Sequence, residues 1–414
     1  MRLDRRTVLA GLSAAGMASL PLGSTASGAG AVRVRRSIAR MSANDPDVEA
    51  LRRAIPLMRR SGAWETQVAL HADMYNRQHS TWRFLPWHRL QLVRFEQIVA
   101  RVSGKADFAL PYWDWSRDPF PPLFFDDPVF AMPGRAAPRG LVMDSRWFTG
   151  KLDDPFDTFF GAPRQGGARY LSGSAEWSGH NLMHGFVGGD MNDLPRAPND
   201  PIFWLHHANV DRSWTLWRAR NPREPYSQAW SQEVLAGLVD ADGRPAPPAT
   251  AGSTVNTRAF GYDYPRDRAL SRPAARPRST RSDRRERHAW TGRVWARNLG
   301  VVEIPPFVAN RRSARADGFI AMVCDPHRST MVTVTAQRLS DGVETFRDTI
   351  LAVPMGVCFE SPTYRINLDR LWGGTGSRGL LVRVELSSML GPQAGDNGAV
   401  LTEVIIDADV SVDS

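Results

Sequence analysis

Seven of the nine histidines fall into two groups whose spacing suits metal binding. The groups are His71, His79 and His88, and further along the chain His180, His184, His206 and His207. His180 and His184 are four residues apart, a spacing that places both imidazoles on one face of a helix. A single histidine is usually packed or solvated. Seven grouped histidines in a chain with two cysteines indicate a metal held by imidazole.

Two sets of three imidazoles describe two metal ions held close together. Neutral imidazole without thiolate suits copper, zinc, iron or nickel, and the general affinity order favours copper. Hydrolytic dinuclear sites usually add bridging carboxylates, and di-iron helix bundles need Glu-x-x-His pairs. The spacing of the residues alone therefore leaves copper and zinc open.

The first group lies in a segment with two helical patterns. Asn44-Asp45-Pro46 predicts the start of one helix, with a capping residue and a proline in the first turn. Gly62 is predicted to end that helix. The stretch after Pro86 predicts another helix with His88 in its first turn, where a ligand would be held rigidly.

The second group lies on two further predicted helices. His180 and His184 share one, and Asp200-Pro201 starts the other. On that second helix Phe203, His207 and Asp211 occupy successive turns of one face. Asp211 is therefore expected to accept a hydrogen bond from the free nitrogen of a ligating histidine. A salt bridge from Asp211 to a nearby arginine is the alternative.

Composition is that of a globular protein with a sizeable core. The 414 residues are 42% hydrophobic and 23% charged, and this length predicts two or three domains. The net charge of +9 comes largely from arginines near the N-terminus and around residues 266–287. No basic helix interleaved with aromatic residues is present in the pattern, so nucleic-acid binding is not expected.

Residues 1–31 are predicted to be an export signal. Arg5-Arg6 precede a moderately apolar stretch over residues 8–22, which is short and rich in glycine, alanine and serine. This pattern fits the twin-arginine route to the periplasm or the exterior. An ordinary secretory signal or a retained anchor is the alternative. No membrane span is expected in the mature chain.

The remaining chain divides into three predicted parts. Residues 32–265 form a mainly α domain, a helical bundle around the metal site. Residues 266–288, rich in arginine, proline and serine, form a linker. Residues 289–414 alternate in polarity and are rich in β-branched residues, which predicts an all-β sandwich or barrel. Cys324 and Cys358 lie in this last part and could pair in an oxidising compartment.

Three segments resemble the two copper-binding signatures of the tyrosinase and polyphenol oxidase family, namely HSTWRFLPWHR, HNLMHGFVGG and DPIFWLHHANVDRSW. The intervening FALPYWDW is also similar to the family. Gly261-Tyr262-Asp263-Tyr264 resembles the paired-tyrosine motif that ends the catalytic domain of plant polyphenol oxidases. The resemblance covers roughly residues 33–265 and is specific because several motifs agree in order. The β region resembles the family's C-terminal shielding domain far more loosely.

The resemblance implies a coupled dicopper centre. The first copper would be bound by His71, His79 and His88, and the second by His180, His184 and His207, because the family's ligand is the second histidine of the adjacent pair. His71 is the least typical ligand, since its spacing of eight residues to His79 is shorter than in most relatives. No cysteine lies in this region, so the cysteine–histidine thioether of some relatives is absent.

Five further residues gain expected roles from the resemblance. Glu176 matches the acidic residue that orients a water in plant relatives, and with Asn181 it is expected to help deprotonate a phenol. Capping of the following helix is the alternative for Glu176. Leu194 falls where the family places a residue over the copper entrance, and as a mid-sized aliphatic it is expected to leave access fairly open. Phe84 and Phe203 are expected to pack against imidazoles.

The resemblance predicts a copper-dependent phenol oxidase that uses O2 to hydroxylate monophenols, to oxidise o-diphenols to o-quinones, or both. Its partner would be a small phenolic substrate, and a separate copper chaperone is a candidate partner. The alternatives are a specialised oxidase of o-aminophenols or of a tyrosine metabolite, a dicopper oxygen-binding protein, and a zinc-loaded or metal-free relative. The β domain is expected to be a lid that is released by cleavage in the linker, or else a purely stabilising domain. The sequence does not determine the natural substrate or the oligomeric state.

Overall fold

Helices dominate the chain up to residue 231, and strands dominate it from residue 284 onward. The computed structural model describes residues 32–73, 77–135, 146–163, 170–177, 179–267, 270, 284–296, 298–306, 315–323, 330–353, 363–367, 379–388 and 400–412. The predicted export signal, most of the linker and both cysteines lie outside these residues. Arg33–Ser414 form one compact unit. Every helix in the described ranges is too short or too polar to span a lipid bilayer.

The described helices in chain order are α1 (Pro46–Ser61), α2 (Ala63–Ala72), α3 (Phe84–Ser103), α4 (Leu123–Asp126), α5 (Arg146–Thr149), α6 (Phe156–Phe159), α7 (Ser174–Trp177), α8 (His180–Val187), α9 (Ile202–Arg220) and α10 (Gln228–Ser231). As predicted, α1 is capped by Asp45, whose carboxylate accepts the amide of Asp47. Gly62 ends α1 with φ of +76°, a left-handed conformation that glycine adopts at little cost. Helix α3 starts at Phe84 rather than after Pro86, so His88 lies in its second turn and not its first.

Three aromatic rings join three helices that carry histidines of the two groups. Phe95 of α3 stacks on Trp204 of α9, with ring centroids 3.7 Å apart and planes 6° apart. Trp64 of α2 meets both rings edge-on, at 5.9 and 6.1 Å. All three rings are buried. Burial of such large apolar rings contributes strongly to stability, so this contact fixes α2, α3 and α9 relative to one another.

The fifteen strands of the described residues begin with six short ones: β1 (Arg33–Val34), β2 (Gly161–Pro163), β3 (Tyr170–Ser172), β4 (Val234–Leu235), β5 (Ala249–Thr250) and β6 (Tyr262–Asp263). The longer ones follow: β7 (Arg284–Thr291), β8 (Arg293–Ala296), β9 (Leu299–Ile304), β10 (Arg315–Val323), β11 (Thr330–Arg338), β12 (Glu344–Val353), β13 (Thr363–Asn367), β14 (Leu380–Ser388) and β15 (Val400–Val412). Strand β1 pairs in parallel with β6, which ties together the two ends of the helical region. Strand β7 begins inside the predicted linker.

The strands from β7 onward form most of two sheets. One has the order β2-β3-β13-β10-β15-β7 and the other the order β12-β11-β14-β9-β8. Buried residues of both sheets, such as Val334, Val384 and Val404, share one hydrophobic cluster. Neither sheet closes on itself in this strand order. A helical core with a β-rich C-terminal region is therefore confirmed, while the predicted sandwich or barrel remains a prediction.

The helical and β-rich regions share one sheet and one hydrophobic cluster. Strands β2 and β3, which lie within the predicted α domain, are part of the six-stranded sheet. Trp177 of α7 and Leu194 belong to the hydrophobic cluster of the β-rich region. The sequence pattern did not predict this connection, because it depends on pairing between residues almost two hundred positions apart.

Candidate metal centre

Three histidines of the second group converge through their Nε2 atoms. The distance is 3.2 Å between His180 and His207, 3.1 Å between His180 and His184, and 3.4 Å between His184 and His207. Metal–nitrogen bonds of about 2.0–2.1 Å put two nitrogens of one tetrahedral ion roughly 3.3 Å apart. The triangle therefore fits a single ion held by three imidazoles.

His206 is close to this triangle without being part of it. Its ring stacks on His180 with centroids 5.1 Å apart and planes 19° apart. Its ligand atom lies within 4.8 Å of those of the other three histidines. Neither ring nitrogen of His206 makes a hydrogen bond in the described part of the chain. The geometry thus supports His207 rather than His206 as the metal ligand. His206 packs behind the ring of His180.

The first group forms a second buried cluster. The Nε2 atoms of His71 and His79 are 3.0 Å apart. The ring of His88 lies 5.4 Å from that of His71 and 5.0 Å from that of His79. The Nε2 atom of His88 is buried and has no hydrogen-bond partner among the described residues. An orphaned imidazole nitrogen facing two others is what a metal ion would satisfy.

The two clusters share contacts. His88 of the first stacks on His207 of the second, with centroids 4.5 Å apart. Phe84 lies 4.8 Å from His88 and 4.7 Å from His180. Phe203 lies 4.1 Å from His207 and 5.0 Å from His71. Each phenylalanine therefore contacts histidines of both clusters, and the two clusters are neighbours.

Most of the outer ring nitrogens are held by the protein. Nδ1 of His88 donates to the carbonyl of Phe84 at 2.8 Å, and Nδ1 of His184 donates to the carbonyl of Met191 at 2.7 Å. Nδ1 of His180 donates to Oδ1 of Asn181 at 2.7 Å. A hydrogen bond at Nδ1 fixes the tautomer, and it leaves the Nε2 lone pair free to bind a metal.

Burial keeps the imidazoles neutral. Desolvation lowers the pKa of His79 to about 3 and the pKa of His184 to about 4. Burial, reinforced by repulsion between neighbouring imidazoles, holds the pKa values of His71, His88, His180 and His207 well below the usual value. Metal ligands must be deprotonated, so both clusters are prepared to bind a cation at neutral pH.

The carboxylate of Glu176 accepts hydrogen bonds from a histidine of the first cluster and from two serines. Its Oε1 accepts from Nδ1 of His79 at 3.2 Å, and its two oxygens accept the amide of Ser80 at 2.8 and 2.9 Å. Its Oε2 also accepts the hydroxyl of Ser172 at 2.9 Å. Burial raises the pKa of Glu176 to about 8, although the hydrogen bonds from Ser80 and Ser172 oppose the shift. Ser80 itself has a left-handed φ of +56°, a strain of the kind found at functional sites.

Asn181 and Glu176 therefore hold ligands of different clusters, the amide oxygen of Asn181 contacting His180 and the carboxylate of Glu176 contacting His79. The sequence motif predicted that the two side chains would act together on a water. Ser80 and Ser172 were not predicted at all. Ser172 precedes Glu176 by four residues, but no feature of the sequence distinguishes it from other serines.

Asp211 does not contact a ligand histidine, so its predicted role is wrong. Its carboxylate accepts from Nε of Arg89 at 2.5 Å, from Nη1 of Arg35 at 3.3 Å, and from the hydroxyls of Tyr262 and Tyr264 at 2.7 Å each. The alternative of a salt bridge is correct. Burial opposes ionisation, but the charges of Arg89 and Arg35 outweigh it and hold the pKa of Asp211 below its usual value. The paired tyrosines thus complete a buried charge network one turn beyond His207.

Leu194 is only 2% exposed and packs in the hydrophobic cluster of the β-rich region. The sequence predicted an aliphatic side chain that leaves the copper entrance fairly open. The structure instead covers this side chain, because an aliphatic group next to the apolar core of two sheets is stabilised by burial. Leu194 therefore packs against the β-rich region.

Comparison with known sequences places this geometry in a family. The family model for the common central domain of tyrosinase matches residues 61–159 and 142–220. The tyrosinase of Streptomyces antibioticus is 32% identical over 214 residues, which are 41% of this chain and 77% of that protein. The tyrosinase of Streptomyces glaucescens is 31% identical over 45% of this chain and 84% of that protein. Tyrosinase HcTyr1 of a Hahella species is 34% identical, and the match spans 48% of this chain and half of that protein.

Solved structures show that the fold extends over nearly the whole chain. Latent aurone synthase, a polyphenol oxidase, superposes with a TM-score of 0.70 at 21% identity, covering 93% of this chain and 90% of its own. Latent apple tyrosinase superposes with a TM-score of 0.69 at 18% identity, covering 92% and 97%. A functional unit of octopus hemocyanin superposes with a TM-score of 0.56 at 16% identity, covering 90% and 99%.

Two adjacent, buried clusters, each composed only of histidines, define a type 3 dicopper protein. With the Streptomyces matches, the chain belongs to the tyrosinase family. It is accordingly an oxidoreductase of the tyrosinase type with two copper ions as cofactors.

Proposed function

We propose that the protein is a phenol oxidase that uses O2 to hydroxylate monophenols and to oxidise o-diphenols to o-quinones. The main support is the contact between the two histidine clusters, in which His88 stacks on His207 at 4.5 Å. Two adjacent metal sites of three neutral imidazoles each suit a copper pair. When bound, the copper pair supplies the oxygen chemistry, and the protein supplies binding, orientation and exclusion of water.

The side chains around the clusters have separate tasks in this proposal. Asn181 and the carbonyls of Phe84 and Met191 orient the ligands. Phe84 and Phe203 keep the space between the clusters apolar. Glu176 and Asn181 are proposed to assist removal of the phenolic proton through a water, in addition to holding their histidines.

The test is oxygen consumption by the copper-loaded protein with a monophenol, a catechol and an o-aminophenol. We expect turnover of the catechol and of the monophenol, and none by the metal-free protein or by a His207→Ala variant. Turnover of the o-aminophenol alone would instead support a specialised o-aminophenol or tyrosine-metabolite oxidase. Absence of turnover with all three compounds in a protein that contains two coppers would contradict the proposal.

A dicopper oxygen carrier is the second candidate, favoured by one observation. Octopus hemocyanin is 30% identical to this chain over 237 residues, although these are 8% of that long protein. A carrier would bind O2 reversibly without consuming it in the presence of catechol. Continuous O2 uptake with quinone formation would exclude this function.

We propose that the β-rich region is a two-sheet sandwich that covers the copper entrance as a lid. The burial of Leu194 in its core supports this proposal. Cleavage in the arginine-rich linker near residue 270 would release it. With copper saturating, we expect a chain cut there to oxidise catechol faster than the intact chain. The same rates should be compared with that of a chain truncated near residue 270. If all three rates are equal, the β-rich region is not a lid and has a purely stabilising role.

We further propose that residues 1–31 direct export by the twin-arginine route to the periplasm or the exterior. Replacement of Arg5 and Arg6 by lysine would then retain the chain inside the cell. Unchanged export of that double variant would contradict this route and favour an ordinary secretory signal.

A further inference from the structure

The β-rich region reaches the first histidine cluster through a shared sheet. Strand β3, which lies just before α7, pairs in parallel with β13 of the β-rich region. In this register Leu171 lies opposite Thr363, and Ser172 lies opposite Tyr364. The backbone of Ser172 is therefore anchored by a strand that follows it by almost two hundred residues.

The turn after β3 is fixed by close packing. The carbonyl of Gly173 accepts the amides of Glu176 and Trp177 at 3.0 and 3.2 Å. A Cβ atom at position 173 would lie 2.4 Å from the carbonyl oxygen of Phe159. Because no side chain fits there, the chain is held closely against α6.

The hydroxyl of Ser172 is directed at the carboxylate of Glu176. Ser172 is 2% exposed and Glu176 is 1% exposed, and their hydrogen bond of 2.9 Å is shielded from water. The same carboxylate holds Nδ1 of His79 and the amide of Ser80. A continuous line of contacts thus runs from β13 through Ser172 and Glu176 to a proposed ligand of the first copper.

The hydrophobic core of the β-rich region secures this line from the other side. Trp177, the residue after Glu176, is completely buried in that core. Its position limits movement of α7 away from the sheet. Among the described residues, the second cluster is linked to Glu176 by a hydrogen bond from His180 to the main-chain carbonyl of Glu176, at 3.1 Å, and by none to its carboxylate.

We propose that Ser172 is a positioning residue for the first copper, through which the β-rich region braces Glu176 and His79. The β-rich region is then part of the construction of the metal centre as well as a cover over it. The inference rests on the dicopper site and not on phenol oxidation, so it can be tested without any substrate.

The test compares Ser172→Ala with Ser174→Ala in the full chain. Ser174 is also buried and also donates to a carboxylate, Oδ2 of Asp154 at 2.6 Å, but its hydroxyl makes no described hydrogen bond to Glu176. Copper per chain is measured against increasing chelator, together with the unfolding temperature. Loss of a partner outside the ligand shell typically weakens metal binding about tenfold or more. We expect Ser172→Ala to release copper at roughly tenfold lower chelator than Ser174→Ala, with similar unfolding temperatures.

Two further variants, each without one histidine of a cluster, show which cluster loses copper. In a His207→Ala chain the remaining copper reports on the first cluster, and we expect Ser172→Ala to weaken it. In a His79→Ala chain the remaining copper reports on the second cluster, and we expect no change. Ser172→Thr keeps the hydroxyl and should retain copper as the unchanged chain does, even if Ser172→Ala folds poorly. Equal copper retention by the Ser172→Ala and Ser174→Ala chains, or a loss confined to the second cluster, would overturn the proposal.

Discussion

Glu176 contacts His79 through its carboxylate, with Oε1 3.2 Å from Nδ1. The two residues are 97 positions apart in the chain. The main-chain carbonyl of the same glutamate lies 3.1 Å from Nδ1 of His180. One residue thus contacts a histidine of each cluster, so a change at Glu176 is expected to affect metal binding before it affects any proton transfer.

Replacement of Glu176 by glutamine separates these two roles. The amide keeps the size of the side chain, but only its oxygen can accept a hydrogen bond. It therefore cannot accept from His79, Ser80 and Ser172 with both terminal atoms, as the carboxylate does. We expect copper at the first cluster to be held about 10–100-fold more weakly, and monophenol turnover to fall even at saturating copper. Metal analysis after dialysis and oxygen uptake with a monophenol measure the two effects.

Glu233→Gln is the matched control, because Glu233 pairs with Arg83 and Trp82 and makes no described contact with a ligand histidine. Retention of full monophenol activity by a copper-saturated Glu176→Gln chain would contradict the water-base role. Unaltered copper retention would contradict the positioning role. These outcomes are independent, so the two roles can be judged separately.

His206 and His207 are adjacent in sequence but differ in their expected effect on copper. The Nε2 atom of His207 completes a triangle with those of His180 and His184, whereas His206 stacks behind His180. We expect His207→Ala to lower the copper content from two ions per chain to one. His206→Ala should keep both ions while making the chain less stable, because a buried ring is lost. Loss of copper on replacement of His206 alone would reverse the assignment.

Local pattern predicted the elements that carry the ligands well. The capped start of α1, its end at Gly62, and the pairing of His180 with His184 on one helix all depend on neighbouring residues. The partners of Asp211 could not be found in this way. Arg35 and Arg89 are 176 and 122 residues away from it, and only the assembled fold brings the three together.

The position of Leu194 illustrates the same limit. Its place in a motif predicted nearness to the copper entrance, but its exposure depends on what packs over it. The β-rich region was predicted to be a separate domain that acts as a lid, but the sequence did not show which residues it covers. Pairing of β3 with β13 joins the two regions, and no periodicity within either strand specifies its partner.

The stacked pair Phe95 and Trp204 is expected to be a main source of stability in the helical region. Phe95→Ala removes a buried ring that contacts α2 and α9 and should cost about 3–5 kcal/mol of unfolding free energy. Phe186→Ala, at a ring that is 37% exposed, should cost less, on the order of 1–2 kcal/mol, because part of the ring is already in contact with water. Denaturant unfolding of the two variants measures both values. Equal losses would mean that the stack does not hold the helices together.

Asp211 should make the stability of the protein depend on pH in a defined direction. Its carboxylate is buried between Arg35 and Arg89, and loss of one partner of a buried ion pair costs about 3–5 kcal/mol. We therefore expect Asp211→Asn to lower the free energy of unfolding by that amount near neutral pH. Asp153→Asn, at an exposed pair with Arg220, should change it by at most about 1 kcal/mol. Thermal or denaturant unfolding of both variants provides the comparison.

The arginines hold the pKa of Asp211 in the folded chain below its value in the unfolded chain. The unfolded chain therefore binds the proton first as the pH falls, and the stabilisation by the charged carboxylate is lost on the acid side. The difference between the original chain and Asp211→Asn should stay constant from about pH 8 to pH 5. It should shrink below about pH 4, the ordinary value for an aspartate, as the pH falls towards the folded-state pKa. A difference that grew on acidification would show that the folded carboxylate is protonated, contrary to the charge network around Tyr262 and Tyr264.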